Sequence, residues 1–500
     1  MSNFFHNLFI FEMANNHQGD LDHGLRIIHA MRDIAQKYGI NASVKLQYRD
    51  LDTFIHPDYK KRSDVKHIPR FMSTRLEQAQ FKTLVDAIHE AGMLRVVTPF
   101  DEASVETCIK HHVDVLKVAS SSIQDWPLLE AIAVAGKPVI ASTGGANEEE
   151  IDNVVSFFTH RNVDFALLHC VSVYPTPNNQ LQMDMVRRLK QRYPMITIGY
   201  SGHEDPNDTT PGSIAAALGA EILERHVAIA TEKHSVNAYS MTPEQTDRWV
   251  STVTRTREAL MVGESKAVTQ EEVDSLLSLQ RGVYARRPIR KGDPIMRDDV
   301  FFAMPCQPNQ TDAGQFGRLR TKWVASQDYA VNQPILEQQS IDDAITRVRT
   351  IIHRAKRMLA EAGIQLGENF QVELSHHYGI ENFEHTGALI IDLVNREYCK
   401  KLVVLVPGQT HPNHRHKVKE ETFQLLWGDL DLILNDVNTI HMKPGDLQLI
   451  ERGTWHRFSS SGGAIFEEVS TTHIKGDSYY EDAEIARKDL IERKTLLEEW

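Results

Sequence analysis

The chain has 500 residues, of which 41% are hydrophobic and 25% charged, and its formal net charge is -13 at pH 7. This length exceeds the size at which one hydrophobic core keeps growing, so we expect about three domains, and the composition excludes disordered and fibrous classes. No lysine- or arginine-dense arm interrupts the negative charge, which excludes a nucleic-acid partner.

The first apolar run and the cysteines indicate where the protein works. Residues 8–11 are apolar but lead directly to Glu12 and have no basic leader, so we interpret them as a strand and not as an export signal. The four cysteines lie far apart without a Cys-x-x-Cys pair, which fits a reducing compartment. No window has the roughly 18 apolar residues of a membrane span. We therefore expect a cytoplasmic protein with no membrane partner.

Short β-branched runs alternate with amphipathic helical stretches over the first half of the chain. The eight predicted strands are 8–12, 42–47, 93–98, 114–119, 137–142, 164–170, 196–201 and 221–226. Eight consecutive strand and helix units predict the α/β class and a (β/α)8 TIM barrel, with an open doubly wound sheet as the alternative.

Polar residues collect where these predicted strands end, at the rim on which TIM-barrel enzymes keep their chemistry. Lys45 and Lys117 end two strands, and the hydroxyl residues at neighbouring rim positions are Ser120, Ser142 and Ser201. This set suits a substrate that carries a phosphate and a carboxylate. His203 and His226 end the last two strands, which are adjacent in a closed barrel, so both imidazoles can bind one divalent ion. A single lysine or histidine at such a position is more often structural.

The predicted secondary structure changes twice in the second half of the chain. After a predicted helix near 269–280, residues 283–300 are interpreted as short strands around the turn at Lys291-Gly292-Asp293. A charged helix over 342–363 is followed by strands and turns that predict an all-β barrel or jelly roll. The last stretch is predicted to be a charged, solvated helix. The predicted domains are 1–275, 280–340 and 345–480, with the helix at 481–500.

The spacing of four C-terminal residues predicts a metal site. Gly408-x5-His414-x-His416-x4-Glu421-x6-Gly428 is followed by Gly445-x7-Gly453-x2-His456, and the two segments resemble the paired motifs of the cupin family. On a strand, residues i and i+2 share a face, so both histidines of the first segment point inward. Three histidines and one carboxylate suit Mn2+, Zn2+ or Fe2+ with positions left open.

Eight motifs in the barrel resemble those of the sialic acid synthase family. They are Glu12-Met-Ala-Asn-Asn-His17, Val44-Lys45-Leu46-Gln47, Thr98-Pro99-Phe100-Asp101, Lys117-Val118-Ala119-Ser120, Ser142-Thr143-Gly144-Gly145, His169-Cys170 with Tyr174-Pro175-Thr176-Pro177, Gly199-Tyr200-Ser201-Gly202-His203 and Glu224-Arg225-His226. The resemblance extends from residue 5 to about 340, because 281–317 is similar to the antifreeze-like (SAF) domain that follows the barrel in that family.

The resemblance implies condensation of phosphoenolpyruvate with a sugar aldehyde, which gives a 2-keto-3-deoxy acid and phosphate. It implies that His203 and His226 hold Mn2+ or Mg2+ against the aldehyde oxygen, and that the family works as a homodimer. The matching positions make Glu12, Lys45, Lys117 and Tyr174 catalytic, with Glu12 managing the attacking water. Phosphoenolpyruvate is held by both lysines, and the substrate-binding residues are Gln47, Ser120, Ser142 and Ser201.

Several positions depart from the family pattern. The positions are Ser122 for a glutamate, Ser172 for an asparagine, Gly202 for an aspartate, Asn237 at or beside an acceptor-binding aspartate, and Met304 for the arginine that recognises an N-acetyl group. These departures predict that the acceptor is not an N-acetylated hexosamine but a neutral or differently substituted sugar.

The cupin segment also has a local resemblance of its own. Arg396-Glu397-Tyr398-Cys399-Lys400-Lys401, with residues 407–412 and 419–423, is similar to the cupin-type D-lyxose isomerase family. One hypothesis is therefore that the cupin makes the aldose that the barrel condenses. A second makes it a sugar-binding or regulatory module beside a catalytic barrel. A third makes the barrel degenerate, and the retained lysines and histidines argue against it.

Overall fold

The computed structural model describes residues 3–260, 268–317, 323–336, 344–497 and 500. The chain forms two compact units, Met1–Ala267 and Val268–Trp500. Within the described ranges, no helix combines the length and apolar content that crossing a bilayer requires.

The first unit is a closed barrel of eight parallel strands. They are β1 (Phe9–Glu12), β2 (Ala42–Tyr48), β3 (Leu94–Pro99), β4 (Val115–Val118), β5 (Val139–Ser142), β6 (Phe165–Cys170), β7 (Thr197–Gly202) and β8 (Ile222–His226). Strand β1 pairs with β2 on one side and with β8 on the other, so Phe9 lies opposite both Ala42 and Leu223. The predicted barrel is confirmed, and the open-sheet alternative is wrong.

Helices connect and cover these strands. Their bounds are Leu21–Tyr38, Leu51–Phe54, Ile68–Ser73, Gln78–Glu90, Glu102–Lys110, Trp126–Val134, Glu148–His160, Asp184–Arg192, Thr210–Ala217 and Pro243–Leu260. Asp20 caps the first of them by accepting a hydrogen bond from the His23 amide at 3.1 Å. Gly39 ends that helix in the left-handed region, at φ 59°, where glycine has no Cβ penalty.

The barrel interior is layered. Because alternate residues on a strand share a face, Ile10 lies below Glu12 on β1, and Ile222 lies below Glu224 on β8. The lower layer is a buried apolar cluster, whereas the upper layer contains buried charged and hydroxyl side chains. The polar layer thus lies at the carboxyl ends of the strands, on an apolar floor.

The second unit begins with a small β module. After the helix Gln270–Leu277 come β9 (Gly282–Ala285), β10 (Pro294–Ile295), β11 (Val300–Ala303), the short helix Ala313–Phe316 and β12 (Trp323–Val324). Strand β9 pairs with β11 and β10 with β12, around buried residues such as Val283, Ile295 and Trp323. Its antifreeze-like character stays a prediction, as do the domain borders; those placed at 1 and 340 lie outside the described residues.

A helix, Ala344–Glu361, leads into the predicted all-β region, which is confirmed. Its strands are β13 (Gln371–Ser375), β14 (Ala388–Asn395), β15 (Tyr398–Leu405), β16 (Thr410–His416), β17 (Glu421–Gly428), β18 (Leu430–Leu434), β19 (Asn438–Met442), β20 (Leu447–Ile450), β21 (His456–Ser459), β22 (Ala464–Thr471), β23 (Ser478–Tyr480) and β24 (Lys494–Leu497). They form a seven-stranded sheet, β20-β17-β22-β15-β14-β13-β24, and a five-stranded sheet, β19-β18-β21-β16-β23.

The end of the chain differs from its prediction. The single helix predicted over 481–500 is wrong, because the structure has two short helices, Ala483–Arg487 and Leu490–Arg493, followed by strand β24. Strand β24 pairs antiparallel with β13, with Leu497 opposite Val372. The segment is rich in helix-forming residues, but pairing with an open sheet edge outweighs that local preference.

Candidate functional site

Two buried lysines at the barrel rim share one carboxylate. Lys45 Nζ lies 2.7 Å from Glu224 Oε1, and Lys117 Nζ lies 3.0 Å from Glu224 Oε2. Lys45 Nζ also lies 2.5 Å from Glu12 Oε2, and Ser201 Oγ donates to Glu224 Oε1 at 3.0 Å. All five side chains are buried. The upper layer of the barrel therefore carries two ammonium groups whose charges are balanced by two carboxylates.

Burial and mutual attraction set the charge states of this group. Burial lowers the pKa of Lys45 to about 7, although Glu224 opposes the shift. Burial acts to raise the pKa of Glu224, but Lys117 and Lys45 outweigh it and hold that pKa well below its usual range. The carboxylate of Glu224 is thus ionised at neutral pH. An anionic substrate can therefore form ion pairs with both ammonium groups, in place of part of their contact with Glu224.

Two serine hydroxyls and one backbone amide lie at the ends of β4 and β5. Ser120 Oγ accepts a hydrogen bond from the Gly144 amide at 3.1 Å and lies 3.6 Å from Cys170 Sγ. A Cβ at Gly144 would lie 2.6 Å from Ser120 Oγ, so only glycine lets the backbone approach so closely. Ser142 Oγ is buried and has no hydrogen-bond partner among the described residues. Its hydroxyl is available to a ligand at the rim.

The two rim histidines fit a divalent ion. The rings of His203 and His226 lie 5.3 Å apart between centroids. Burial lowers the pKa of His203 to about 4, and burial with the neighbouring His203 lowers the pKa of His226 well below its ordinary value. His203 Nδ1 lies 3.2 Å from the Val171 carbonyl, which leaves Nε2 with its lone pair. Both imidazoles are therefore neutral at pH 7, as metal ligands must be.

Two tyrosine rings pack against the histidine pair. The Tyr174 ring lies 4.2 Å from the His203 ring, and the Tyr239 ring stands perpendicular to the His226 ring at 5.1 Å. The two tyrosine rings lie 5.3 Å apart. Although Tyr174 is 49% exposed, the two rings present flat faces beside the histidines, which suits the carbon skeleton of a sugar.

Three histidines of the cupin barrel converge on one point. The ligand atoms of His414, His416 and His456 all lie within 4.8 Å of one another, and all three residues are buried. Each Nδ1 faces a backbone carbonyl, of Pro412 at 3.0 Å, Asp477 at 2.9 Å and Thr454 at 3.0 Å. A proton on Nδ1 leaves the Nε2 lone pair of each ring to bind an ion, with its orientation fixed.

Glu421 completes this cupin group. Its Oε1 lies 3.4 Å from His416 Nε2 and its Oε2 lies 3.2 Å from His456 Nε2. Lys419 contacts Glu421 directly and lies 2.8 Å from Glu468. Burial acts to raise the pKa of Glu421, but Lys419 and the histidines hold it well below its usual range. Three imidazole nitrogens and one carboxylate form a donor set that fits a first-row transition metal.

A second histidine pair lies beside this group. His411 Nε2 is 3.1 Å from His377 Nε2, and the His411 ring lies 4.6 Å from the His414 ring. Burial lowers the pKa of both residues, to about 3 for His377. The cupin interior therefore holds neutral imidazoles beyond those of the predicted ligand set.

Comparison with known proteins finds a matching family or domain in each of the two units. Residues 31–265 match the NeuB family and residues 401–470 match the cupin domain. An uncharacterized protein of Methanocaldococcus jannaschii is 32% identical over 343 residues, which cover 67% of this chain and 92% of that protein. The chain belongs to the NeuB family.

Two further relatives of this NeuB-family chain are informative. The crystal structure of a putative spore coat polysaccharide biosynthesis protein E from Chromobacterium violaceum is 44% identical and has a TM-score of 0.62, covering 66% of this chain and 98% of that one. The human N-acetylneuraminate-9-phosphate synthase is 27% identical over 292 residues, which cover 58% of this chain and 80% of the relative.

Most residues predicted for the NeuB-family site lie in these two groups. Glu12, Lys45, Lys117 and Ser201 form the charged network, and Gln47 Nε2 donates to Glu12 Oε1 at 3.3 Å. Ser120 lies to one side, where Cys170 Sγ is its neighbour, and Ser142 makes no contact within the network. Tyr174 lies against the histidine pair and not against the lysines.

Sequence reasoning missed the residues that organise the sites. Glu224 was seen as a rim residue but not as the shared partner of both lysines, although it lies two residues before His226 and therefore on the same face of β8. Tyr239 gave no pattern, because loop geometry brings it into place. Lys419 was noted only as part of the segment 419–423, and its buried ion pair with Glu421 was not predicted.

One departure from the family pattern has a steric explanation. A Cβ at Gly202 would lie 2.8 Å from both Glu204 Oε1 and the Tyr200 ring, so the space of a side chain at 202 is filled. Glu204 is fully buried, lies 2.5 Å from Arg225 Nη1 and accepts from the Tyr200 hydroxyl at 2.9 Å. The carboxylate of Glu204, between β7 and β8, thus occupies the space next to position 202.

Proposed function

We propose that the barrel condenses phosphoenolpyruvate with a sugar aldehyde to form a 2-keto-3-deoxy sugar acid of the sialic acid type. The observation that carries this proposal is the buried Lys45–Glu224–Lys117 group beside the His203 and His226 pair. Two ammonium groups with hydroxyl donors suit a phosphate and a carboxylate on one small molecule. The name of the human relative, N-acetylneuraminate-9-phosphate synthase, agrees with this reaction class.

The lysines, serines and Glu12 of the rim have separate roles in the proposed condensation. Lys45 and Lys117, with Ser120, Ser142 and Ser201, hold phosphoenolpyruvate so that carbon 3 faces the aldehyde. A new carbon–carbon bond forms, and the aldehyde oxygen takes up a proton. Glu12 orients the water that adds to carbon 2 and removes its proton, after which the carbon–oxygen bond breaks and phosphate leaves.

His203 and His226 hold a divalent ion, Mn2+ or Mg2+, in this proposal. When bound, that ion supplies Lewis-acid polarisation of the aldehyde oxygen. The neutral imidazoles, the carbonyl that orients His203 and the walls of Tyr174 and Tyr239 support the assignment. We also propose that the enzyme works in the cytoplasm as a homodimer.

The acceptor in this proposal is not an N-acetylated hexosamine. The side chain of Asn237 is engaged in its own loop, where its Oδ1 accepts from the amides of Tyr239 and Ser240 at 3.1 and 2.9 Å. Met304 offers no donor to an amide carbonyl. Loss of a buried donor costs about 1 to 3 kcal/mol, which is enough to reverse a preference between acceptors.

The test measures consumption of phosphoenolpyruvate with manganese and a panel of acetylated and non-acetylated aldoses. We expect turnover that depends on both metal and aldose, with the non-acetylated sugars preferred. Consumption that persists without any aldose would refute condensation, and faster consumption with N-acetylmannosamine than with every other sugar would refute the acceptor assignment.

A second candidate function belongs to the cupin, a metal-dependent sugar isomerase that supplies the aldose. The supporting observation is a polar interior beside the histidine triad, where Lys419 lies between Glu421 and Glu468. An isomerase needs a metal, Mn2+, Zn2+ or Fe2+, that polarises adjacent oxygens, and a base that moves a proton between two carbons. A non-catalytic sugar-binding or regulatory cupin is the alternative.

The two cupin hypotheses differ in what the whole protein accepts. Under the isomerase proposal, the full chain converts a ketose plus phosphoenolpyruvate into the keto-deoxy acid, and a His414→Ala/His416→Ala variant accepts only the matching aldose. If that variant uses the ketose at the normal rate, or if no ketose is a substrate, the binding-module hypothesis holds.

A further inference from the structure

Arg49 occupies an unusual position at the barrel mouth. It directly follows β2, and its guanidinium lies 3.6 Å from the centre of the Phe100 ring and 4.3 Å from the centre of the Phe71 ring. One hydrogen bond orients it, from Nη2 to Gln47 Oε1 at 3.0 Å. Its Nε is buried without a hydrogen-bond partner. Over the described ranges, no carboxylate lies within ion-pair distance of this side chain.

This arrangement differs from that of Arg75, a second arginine in the same connection between strands. Arg75, in the same connection between β2 and β3, pairs with Asp52 at 3.0 Å and with Glu77 at 3.5 Å. A guanidinium has five N–H donors, and leaving most of them unused in a partly buried place is unfavourable. Stacking between two rings holds the Arg49 plane rigidly and leaves its edges open. Asp101 attracts Arg49 only from beyond ion-pair distance, and its oxygens accept from the Asp50 and Ser104 amides. The free edges of the guanidinium can therefore bind a further anion.

A ladder of side chains connects Arg49 with the reacting centre. Residues 45, 47 and 49 share one face of β2 and its continuation, and the rise of a strand separates the first and last by about 13 Å. Lys45 contacts Glu12, Gln47 donates to Glu12, and Arg49 donates to Gln47. Under the proposed condensation, phosphoenolpyruvate and the aldehyde lie near the level of Lys45. An acceptor that extends along this row of side chains brings its far end to Arg49.

We propose that Arg49 binds an anionic group, a phosphate or a carboxylate, at the end of the acceptor sugar remote from its aldehyde. The acceptor is then an anionic aldose, and Arg49 determines specificity for it. This inference rests on the proposed condensation and names its substrate class. Planar, two-pronged recognition of phosphate or carboxylate is the chemistry for which arginine is suited.

The experiment compares acceptors that differ only in charge. Consumption of phosphoenolpyruvate is measured with mannose, mannose 6-phosphate and mannuronate, and with arabinose and arabinose 5-phosphate, for the full-length protein and its Arg49→Met, Arg49→Lys and Arg75→Met variants. We expect the phosphorylated or carboxylated sugar to have the lower KM. Arg49→Met should raise that KM about tenfold to a hundredfold, while the KM for phosphoenolpyruvate and all kinetics with neutral sugars stay within about twofold.

The control variants separate charge from folding. Arg49→Lys should keep part of the preference for anionic sugars, because it keeps the positive charge but loses the two-pronged guanidinium. Arg75→Met should match the wild type. The phosphate and carboxylate sugars show which anion is preferred. If neutral and anionic sugars react alike and Arg49→Met changes nothing, Arg49 only stacks and this inference is overturned while condensation stands. If no aldose supports phosphoenolpyruvate consumption, condensation itself fails, and the inference fails with it.

Discussion

The barrel and the cupin each offer imidazoles to a metal, but they support them differently. In the cupin, three Nδ1 atoms face backbone carbonyls and Glu421 lies between two of the rings. At the barrel rim, His203 and His226 meet as a pair, and the nearby carboxylates of Glu12 and Glu224 are engaged with lysines. Fixed orientation and an additional ligand favour tight metal binding. Under the proposed function, the cupin histidines are thus better arranged to bind a metal, and the barrel lysines to bind an anionic substrate.

This comparison predicts that a histidine-to-alanine substitution strongly reduces phosphoenolpyruvate consumption in the barrel but has no effect on it in the cupin. His226→Ala should reduce phosphoenolpyruvate consumption at least about a thousandfold, because Lewis-acid polarisation contributes several kcal/mol. His414→Ala, assayed with an aldose supplied, should leave that consumption unchanged. Steady-state assays with metal analysis of both variants provide the measurement. Equal losses in the two variants would show that the sites do not work separately.

Removing the shared carboxylate should affect the barrel next most strongly. Glu224→Gln leaves two buried ammonium groups with one carboxylate fewer, and breaking a buried pair in this way costs about 3 to 5 kcal/mol of unfolding free energy. Hydrogen exchange of peptides from β1 to β8 reports this loss. Glu130→Gln is the matched control, because Glu130 forms an exposed pair with Arg161 and should change stability by less than about 1 kcal/mol. A stable Glu224→Gln barrel would mean that the lysines do not depend on this partner.

The barrel should respond to pH through its lysine. Burial lowers the pKa of Lys45 to about 7. The Lys45 amine is therefore protonated below that pH and loses its charge as the pH rises through it. The KM for phosphoenolpyruvate should therefore rise above pH 7, by at most about tenfold per pH unit. Lys45→Arg keeps its charge and should flatten the profile. A flat wild-type profile between pH 7 and 9 contradicts this expectation.

The smallest effect concerns the residue behind one cupin histidine. The Asp477 carbonyl accepts from His416 Nδ1, and its carboxylate accepts from the amides of Lys417, Val418 and Lys419. Asp477→Ala should loosen this turn and weaken metal binding by the cupin about tenfold, with barrel activity unchanged. Asp446→Ala removes a similar turn contact, to the Lys443 amide, and is the control. Titration with Zn2+ and a competing chelator measures the difference, and equal affinities would exclude a role for Asp477.

The fold was readable from the sequence because its signals are local and repeated. The barrel strands end within one or two residues of their predicted positions, and the spacing of His414 and His416 reflects the two-residue period of a single strand. The charged helix over 342–363 was predicted in the same way and is present as Ala344–Glu361, with residues 342 and 343 outside the described ranges.

The interactions that could not be predicted join distant parts of the chain. Glu224 is 179 residues from Lys45, and no periodicity relates a carboxylate to a cation across a barrel. Strand β24 forms because a sheet edge is available, and its sequence alone favours a helix. Arg49 was not singled out, because two aromatic rings from different segments create its environment. Specific tertiary contacts, and not local propensity, decide these cases.

The buried pair of Glu204 and Arg225 has an evolutionary consequence. A Cβ at position 202 would lie 2.8 Å from both Glu204 Oε1 and the Tyr200 ring, so a side chain there requires these groups to move. Loss of Glu204 alone leaves the fully buried Arg225 without its counter-ion, which is strongly destabilising. We therefore expect substitutions at positions 202 and 204 to be energetically coupled. The residue pair at 202 and 204 should consequently be inherited as a unit and mark lineages more reliably than the surface around it.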